Sequence, residues 1–354
     1  MSEIQLTTGR KVRDFSDPYI IAELGSNHNG DMELARKLIR EAKMAGADCV
    51  KFQSWSKDSI FSRKTYEDNF FIADDYRNRT DHTLESIVEA YSISEEELLQ
   101  MKKFADELGI DCTSTPFSPK EVDFLVGTLK APFIKVASMD LNNYPFLDYI
   151  ARKGKPIVIS TGLSELYEID KAIRTIERAG NRQIVILHCI SIYPPKDSQV
   201  NLNNIDTLRQ LYPAYPIGFS DHTLGTTIPV SSVVKGVCLI EKHFTLDKNM
   251  EGWDHKVSAN PEELKTICTE TKRVRAALGT GRIEVQEKSD RIESFRRSIV
   301  TTRPIKAGEV LRREDLDFKR PASGIPPEYL DMIVGRVARV DLEFDKPFTL
   351  KELL

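Results

Sequence analysis

The chain has 354 residues, 40% of them hydrophobic and 29% charged, with a formal net charge of −4. That composition reads as a soluble globular protein. The slightly acidic balance argues against a nucleic-acid partner but leaves room for a local basic pocket that takes an anion.

No run approaches the ~18 apolar residues of a membrane span, so no membrane contact is expected. The opening stretch, MSEIQLTTGRKVRDF, has no apolar signal core. The five cysteines, Cys49, Cys112, Cys189, Cys238 and Cys268, form an odd set. An odd set in a chain this long points to reduced, buried thiols and a cytoplasmic protein, not a disulfide framework.

Strand-like and helix-like segments alternate eight times. The expected strands are 19–24, 49–53, 111–115, 133–136, 157–160, 184–188, 217–220 and 239–244. Between them lie segments of helical period such as LARKLIREAKMAGA and LLQMKKFADELG. Ser94 with Glu97, Ser118-Pro119 with Glu121, and Asn260-Pro261 with Glu263 each supply a polar cap and a glutamate at N3. Eight β/α units over about 260 residues indicate an α/β fold, a (β/α)8 TIM barrel. A doubly wound open sheet is the alternative, but no GxGxxG follows the first strand, which disfavours a dinucleotide fold.

About 40 residues separate the second strand from its helix, too many for a plain βα loop. This stretch, including TYEDNFFIADDYRNRTDHT, reads as a lid or a subunit contact. The barrel rhythm stops at Leu278-Gly279, so residues 1–278 are assigned to a barrel domain and the polar stretch 279–293 to a linker. Residues 294–354 hold short alternating runs with Gly and Pro turns and read as a small β-rich domain.

Chemistry in a barrel collects where the strands end. Here those ends carry Glu23, Lys51 and Gln53, Thr113-Ser114-Thr115, Lys135 and Ser138, Ser160-Thr161, His188, Ser220 and His222, and His243. Hydroxyls with two lysines suit a small, highly charged anion such as a phosphate ester. A lone Ser or Thr is more often an ordinary cap, whereas a buried lysine needs a partner. His222 and His243 lie 21 residues apart, one βαβ step. On neighbouring parallel strands about 5 Å apart, both imidazoles reach the same sheet end. They are either a divalent-metal pair or two unrelated polar residues at strand ends.

AELGSNHNG, VKFQ, STPFS, IKVAS, ISTG, LHC followed by IYP, SDHTLG and EKHFT, in this order, resemble the sialic acid synthase (N-acetylneuraminate synthase) family. KAGEV, KRPASGI and VGRVA in the tail resemble that family's antifreeze-like (SAF) C-terminal domain. The resemblance implies a transferase that condenses phosphoenolpyruvate with an open-chain N-acyl hexosamine. The product would be a 2-keto-3-deoxy nonulosonic acid, with phosphate released, for a surface or spore polysaccharide. It also implies a homodimer with a swapped C-terminal domain that caps the partner's barrel.

Matched residue by residue, the resemblance places a Mn2+ or Mg2+ ion on His222 and His243. Lys51, Thr115, Lys135, Ser138, Ser160 and Ser220 match the phosphoenolpyruvate pocket. Glu23, Gln53, Tyr193 and Asp254 match positions facing the sugar or a water at the metal, with Glu23 handling a proton. Arg320 matches an arginine brought to the sugar's amide by the small domain. Three positions depart from the family pattern. Ser191 stands where Asn is usual, Asp140 where Glu is usual, and Trp253 where Pro is expected.

Two rivals share the fold. A Schiff-base aldolase commonly places its lysine at the end of the sixth strand, where this chain has His188. A metal hydrolase of the amidohydrolase type wants HxH on the first strand, where this chain has Glu23 and only His28 nearby. A non-catalytic glycan-binding protein is a third reading, opposed by the paired Lys51 and Lys135.

Overall fold

The computed structural model describes residues 2–69 and 82–354. It divides into two compact units, Met1–Thr280 and Gly281–Leu354.

In the first unit, β1 (Glu3–Gln5) and β2 (Lys11–Arg13) form an antiparallel hairpin. Eight parallel strands follow: β3 (Tyr19–Gly25), β4 (Cys49–Gln53), β5 (Asp111–Thr115), β6 (Ile134–Val136), β7 (Ile157–Ser160), β8 (Ile184–Cys189), β9 (Ile217–Asp221) and β10 (Leu239–His243). Their order in the sheet is β5-β4-β3-β10-β9-β8-β7-β6, so the first strand of the set pairs with the last. At the seam between β5 and β6, Thr113 Oγ1 donates to the Phe133 carbonyl at 2.9 Å. The result is the expected (β/α)8 barrel, and strands 49–53, 111–115 and 157–160 match residue for residue.

Side chains alternate across each strand. Outward positions such as Ile20, Ala22 and Leu24 on β3 join the layer between barrel and helices. Inward positions such as Tyr19, Ile21, Cys49, Phe133, Val158 and Leu239 fill the barrel's lower interior. Ile4, Leu6 and Val12 of the hairpin pack into that same interior cluster, so the hairpin floors the barrel at its N-terminal end. Each such side chain is worth about 1.5–3 kcal/mol when fully buried.

The helices begin where the caps predicted. Ser94, Ser118 and Asn260 each accept from the backbone N–H of the glutamate three residues on, and each glutamate returns to the cap's N–H. In the connection after β4, short helices span Lys57–Ile60, Arg63–Glu67 and Leu84–Tyr91. Residues 70–81, on which the reading as a lid or subunit contact largely falls, lie outside the described residues. All five cysteines are buried and free. Among the described residues, no helix is long and apolar enough to cross a membrane.

The second unit holds a helix, Ser289–Phe295, and an antiparallel pair, β11 (Ser298–Thr301) with β12 (Leu316–Lys319). Its small core includes Ile299, Ile305, Leu311, Leu316, Ile333 and Phe348.

Candidate active site

Counting in twos along the barrel strands leads from an apolar floor to a polar rim. On β3 the inward run is Tyr19, Ile21, Glu23; on β10 it is Leu239, Glu241, His243. The same parity on β4, β6, β7 and β9 brings Lys51, Lys135, Ser160, Ser220 and His222 inside. All of these are buried.

They form one network. Lys51 Nζ bonds Glu23 Oε2 and donates to Thr115 Oγ1 at 2.9 Å. Gln53 Nε2 donates to Glu23 Oε1 at 3.0 Å. Lys135 Nζ donates to Ser160 Oγ at 2.7 Å and to the Val136 carbonyl at 3.0 Å. Glu241 stands between the lysines, 3.8 Å from Lys51 and 3.7 Å from Lys135, and accepts from Ser220 Oγ at 3.1 Å. Glu241 was not among the expected site residues. Its signal was parity, since it lies two residues before His243 on one strand and so faces the same way.

Two ammonium groups and two carboxylates thus share one buried chamber. Burial raises Glu23 to about 7; Lys51 opposes that shift and the neighbouring Glu241 adds to it. Burial also pushes Glu241 up, but the two lysines outweigh it and its net shift is down. The lysines differ because their partners do. Burial acts downward on both, yet Lys51 touches Glu23 and ends raised, whereas Lys135 is bonded to neutral oxygens and ends lowered. A carboxyl near neutrality can both give and take a proton at working pH.

Above this layer stand the imidazoles of His222 and His243, ring centroids 5.5 Å apart. His222 Nδ1 lies 2.8 Å from the Ile190 carbonyl, which makes it the N–H donor and, in the neutral ring, leaves Nε2 with the lone pair. This is the usual outer support of a metal-ligating histidine. His243 is held well below the ordinary imidazole range, first by burial and then by His222 and Lys51, and is therefore neutral. Its buried Nδ1 makes no hydrogen bond, and the nearest carboxylate oxygen, Asp254 Oδ2, is 3.6 Å away. Burial pushes His222 down, but the Cys189 thiol and the Ile190 carbonyl outweigh it and its net shift is up. Two imidazoles at this spacing fit a divalent ion, which would take the neutral form of each. Among the described residues no group of three or more His, Cys, Asp or Glu surrounds one point, so water and substrate would complete the coordination.

Loops complete the wall. Asp254 rides on a segment stitched to the loop after β3: Asn27 Nδ2 donates to the Phe244 carbonyl and to Ser258 Oγ, both at 2.9 Å, and Asn29 Nδ2 donates to the Glu251 carbonyl at 2.9 Å. The Tyr193 ring lies over His222 at 4.1 Å and edge-on to His243 at 5.8 Å. Ser138 and Ser191 converge over Gly162, where an added Cβ would fall 2.7 Å from Ser138 Oγ and 2.2 Å from Ser191 Oγ. Ser138 Oγ also lies 3.5 Å from Cys189 Sγ.

Other candidates stand apart from this network. Asp140 is half-buried, its Oδ1 3.5 Å from Asn143 Nδ2 and its Oδ2 buried without a hydrogen-bond partner. Burial raises its carboxyl. Trp253 packs against Trp55 and Tyr91, with centroids 5.2 and 6.2 Å away. Arg320 belongs to the second unit, where its guanidinium sits 5.2 Å over the Phe295 ring. His188 does not join the ring of strand-end groups. It faces outward, stacks on Phe219 and bonds the Val200 carbonyl at 2.6 Å. Ser114 is likewise turned away, 2.5 Å from Ser54 Oγ.

Comparisons with known proteins agree with this architecture. The NeuB family model matches residues 38–283, and the SAF domain model matches residues 296–354. An N,N'-diacetyllegionaminic acid synthase of Legionella pneumophila is 38% identical over 90% of this chain and 89% of its own length. The crystal structure of an N-acetylneuraminic acid (sialic acid) synthetase from Leptospira borgpetersenii superimposes with a TM-score of 0.69 at 31% identity, covering 82% of this chain and 95% of that one. The structure of the spore coat polysaccharide biosynthesis protein SpsE from Bacillus subtilis gives 0.67 at 30% identity, covering 100% and 99%. With the family model matching well over half of its length, the chain belongs to the NeuB family of sialic-acid-type synthases and ends in a SAF domain.

Proposed function

We propose that this chain joins phosphoenolpyruvate to an open-chain N-acyl hexosamine and releases phosphate, giving a 2-keto-3-deoxy nonulosonic acid. One observation carries the reading. Lys51 and Lys135, with Thr115, Ser160 and Ser220, form a buried cup lined by lysines and hydroxyls directly beneath the His222–His243 pair. The cup suits a phosphate and a carboxylate on one small molecule.

The protein groups divide the work. Lys51 and Lys135 neutralise the anion and hold its methylene carbon toward the aldehyde. Glu23, near neutrality, handles a proton on the sugar oxygen or on the attacking water. Gln53 holds Glu23 in place. His222 and His243 would hold Mn2+ or Mg2+, which when bound supplies Lewis acidity at the aldehyde oxygen. Water adds at carbon 2, and the C–O bond to phosphate breaks. Glu241 keeps the two lysines from repelling one another until the substrate's charge arrives.

The Legionella relative favours a diacetamido sugar, and the Bacillus neighbour favours a role in a surface or spore polysaccharide. Family resemblance supports a homodimer in which Arg320 reaches the partner's sugar. Five free, buried thiols suit a reducing, cytoplasmic setting. A phosphate-release assay with phosphoenolpyruvate and a panel of 2-acetamido and 2,4-diacetamido hexoses tests the function. Release is expected only with an acylated sugar and a divalent ion, and no release with any sugar would overturn the reading.

One observation favours the Schiff-base rival, because burial depresses Lys135. Its contacts oppose that role: Ser160 Oγ, the Val136 carbonyl and Glu241 all stabilise an ammonium. Borohydride with pyruvate is therefore expected to leave the mass of the protein unchanged. A stoichiometric adduct on Lys135 would establish the aldolase instead.

A further inference from the structure

Asp221 and Lys242 form an ion pair with no place in the chemistry above. They alternate with the inward residues of β9 and β10 and so face away from the chamber, into the layer beneath the helices. Each is 1% exposed, and Lys242 Nζ is 2.7 Å from Asp221 Oδ2. A fully buried ion pair is a poor source of stability, since desolvation offsets its attraction and apolar replacements often do as well. Its position suggests another use.

The ladder between β9 and β10 runs through three pairs, Ile240 with Phe219, Glu241 with Ser220, and Lys242 with Asp221. The ion pair is the last rung, and each imidazole comes one residue later. His243 is still held from its other side, in register with Glu23 of β3, whose carbonyl accepts from Phe244 N at 2.8 Å. His222 has no such rung. Its backbone is held by Asp221 and Thr223 on either side. Asp221 Oδ1 accepts from Thr223 N at 3.0 Å, and Thr223 Oγ1 donates to Asp221 Oδ2 at 3.1 Å. Lys242 Nζ also bonds the Thr223 carbonyl, so one ammonium grips both neighbours of His222 while its own neighbour is His243.

We infer that Asp221, Lys242 and Thr223 are positioning residues that fix the His222 imidazole against that of His243 from outside the barrel. The inference rests on the proposed function in giving the pair of rings a purpose. It differs in naming what sets their spacing. Outer partners of this kind typically cost about 10–100-fold in metal affinity when lost.

The test is the double variant Asp221→Asn with Lys242→Met in the full chain. It removes both charges at once and keeps an oxygen to cap Thr223 N. Mn2+ affinity, read by electron paramagnetic resonance of the free ion, is expected to fall about 10–100-fold. The Tm should move by no more than about 4 °C, and the KM for phosphoenolpyruvate, set mainly by Lys51, Thr115, Lys135 and Ser160 on β4 to β7, should stay within about twofold. A purely structural pair would lower Tm and spare the Mn2+ affinity, and that result overturns the inference. A second readout needs no metal: exchange of the His222 Nδ1 proton, held by the Ile190 carbonyl, should accelerate in the variant. If the wild type takes up no Mn2+, the metal reading fails while proton exchange still decides the positioning role. If the double variant does not fold, Thr223→Val, which keeps the ion pair, should still weaken Mn2+ binding a few-fold. Unchanged affinity there overturns the inference as well.

Discussion

Replacing His222 with alanine is expected, on the proposed function, to reduce phosphate release by at least about a thousandfold, because a metal held there would supply several kcal/mol of Lewis-acid stabilisation and each ~1.4 kcal/mol lost costs a factor of ten. The fold should survive. The imidazole's polar contacts are the Ile190 carbonyl and, at 4.0 Å from Nδ1, the Cys189 thiol at the end of β8, with the Tyr193 ring over it, and none of these is a backbone rung of the barrel. A thermal melt within a few degrees of wild type, together with loss of Mn2+ binding, is the expected pair of results. Full activity of the His222→Ala variant in the presence of a chelator would remove the metal from the mechanism and leave Glu23 and the lysines to do the chemistry alone.

Lys51→Met is expected to be worse for the molecule as a whole. Lys51 is the direct partner of Glu23 and stands 3.8 Å from Glu241, so its loss leaves two buried carboxyls facing each other. Breaking a buried pair from one side costs about 3–5 kcal/mol. Removal of one clamp on a reacting anion typically slows turnover about 100- to 1000-fold. The pH dependence has a definite sign. Folding raises Glu23 from 4.5 to about 7. A carboxyl raised by folding favours the folded state below its unfolded value, and that contribution is lost as pH rises through its folded value. Without Lys51 the folded value climbs further, so more is lost at alkaline pH. The melting temperature of Lys51→Met should therefore fall more steeply than that of wild type between about pH 6 and 8. Parallel melting curves across that range would show that Lys51 does not govern the Glu23 proton.

Much of the barrel was legible because its signals are local. Ser94, Ser118 and Asn260 announce helix starts through contacts spanning three residues. Strands such as 49–53 are bounded by a change in hydrophobic period. The positions of Lys51, Lys135, His222 and His243 follow from strand ends in the same way. What escaped depended on facing. His188 and Glu241 both sit near strand ends, yet one points into the helical layer and the other into the chamber. Counting in twos from His243 finds Glu241, and counting from Cys189 turns His188 away. The β1–β2 hairpin escaped for a different reason: two three-residue strands carry too few alternations to register, and only the packing of Ile4, Leu6 and Val12 into the barrel interior reveals their use. The Asp221–Lys242 pair has no local signal, since only the pairing of β9 with β10 brings the two residues together.

Among the described residues, that hairpin floor closes the barrel at its N-terminal end and leaves the strand-end side as the way in. On the proposed reading the anion's lysines lie a storey below the imidazoles, at the level of Glu241 and Ser220. Traffic is then a queue. Phosphoenolpyruvate has to be seated before the sugar blocks the way down. The phosphate left at the bottom departs only after the nine-carbon product has cleared the mouth. Water for the second half of the reaction has to be stored inside before the sugar arrives, since nothing can reach it from beneath.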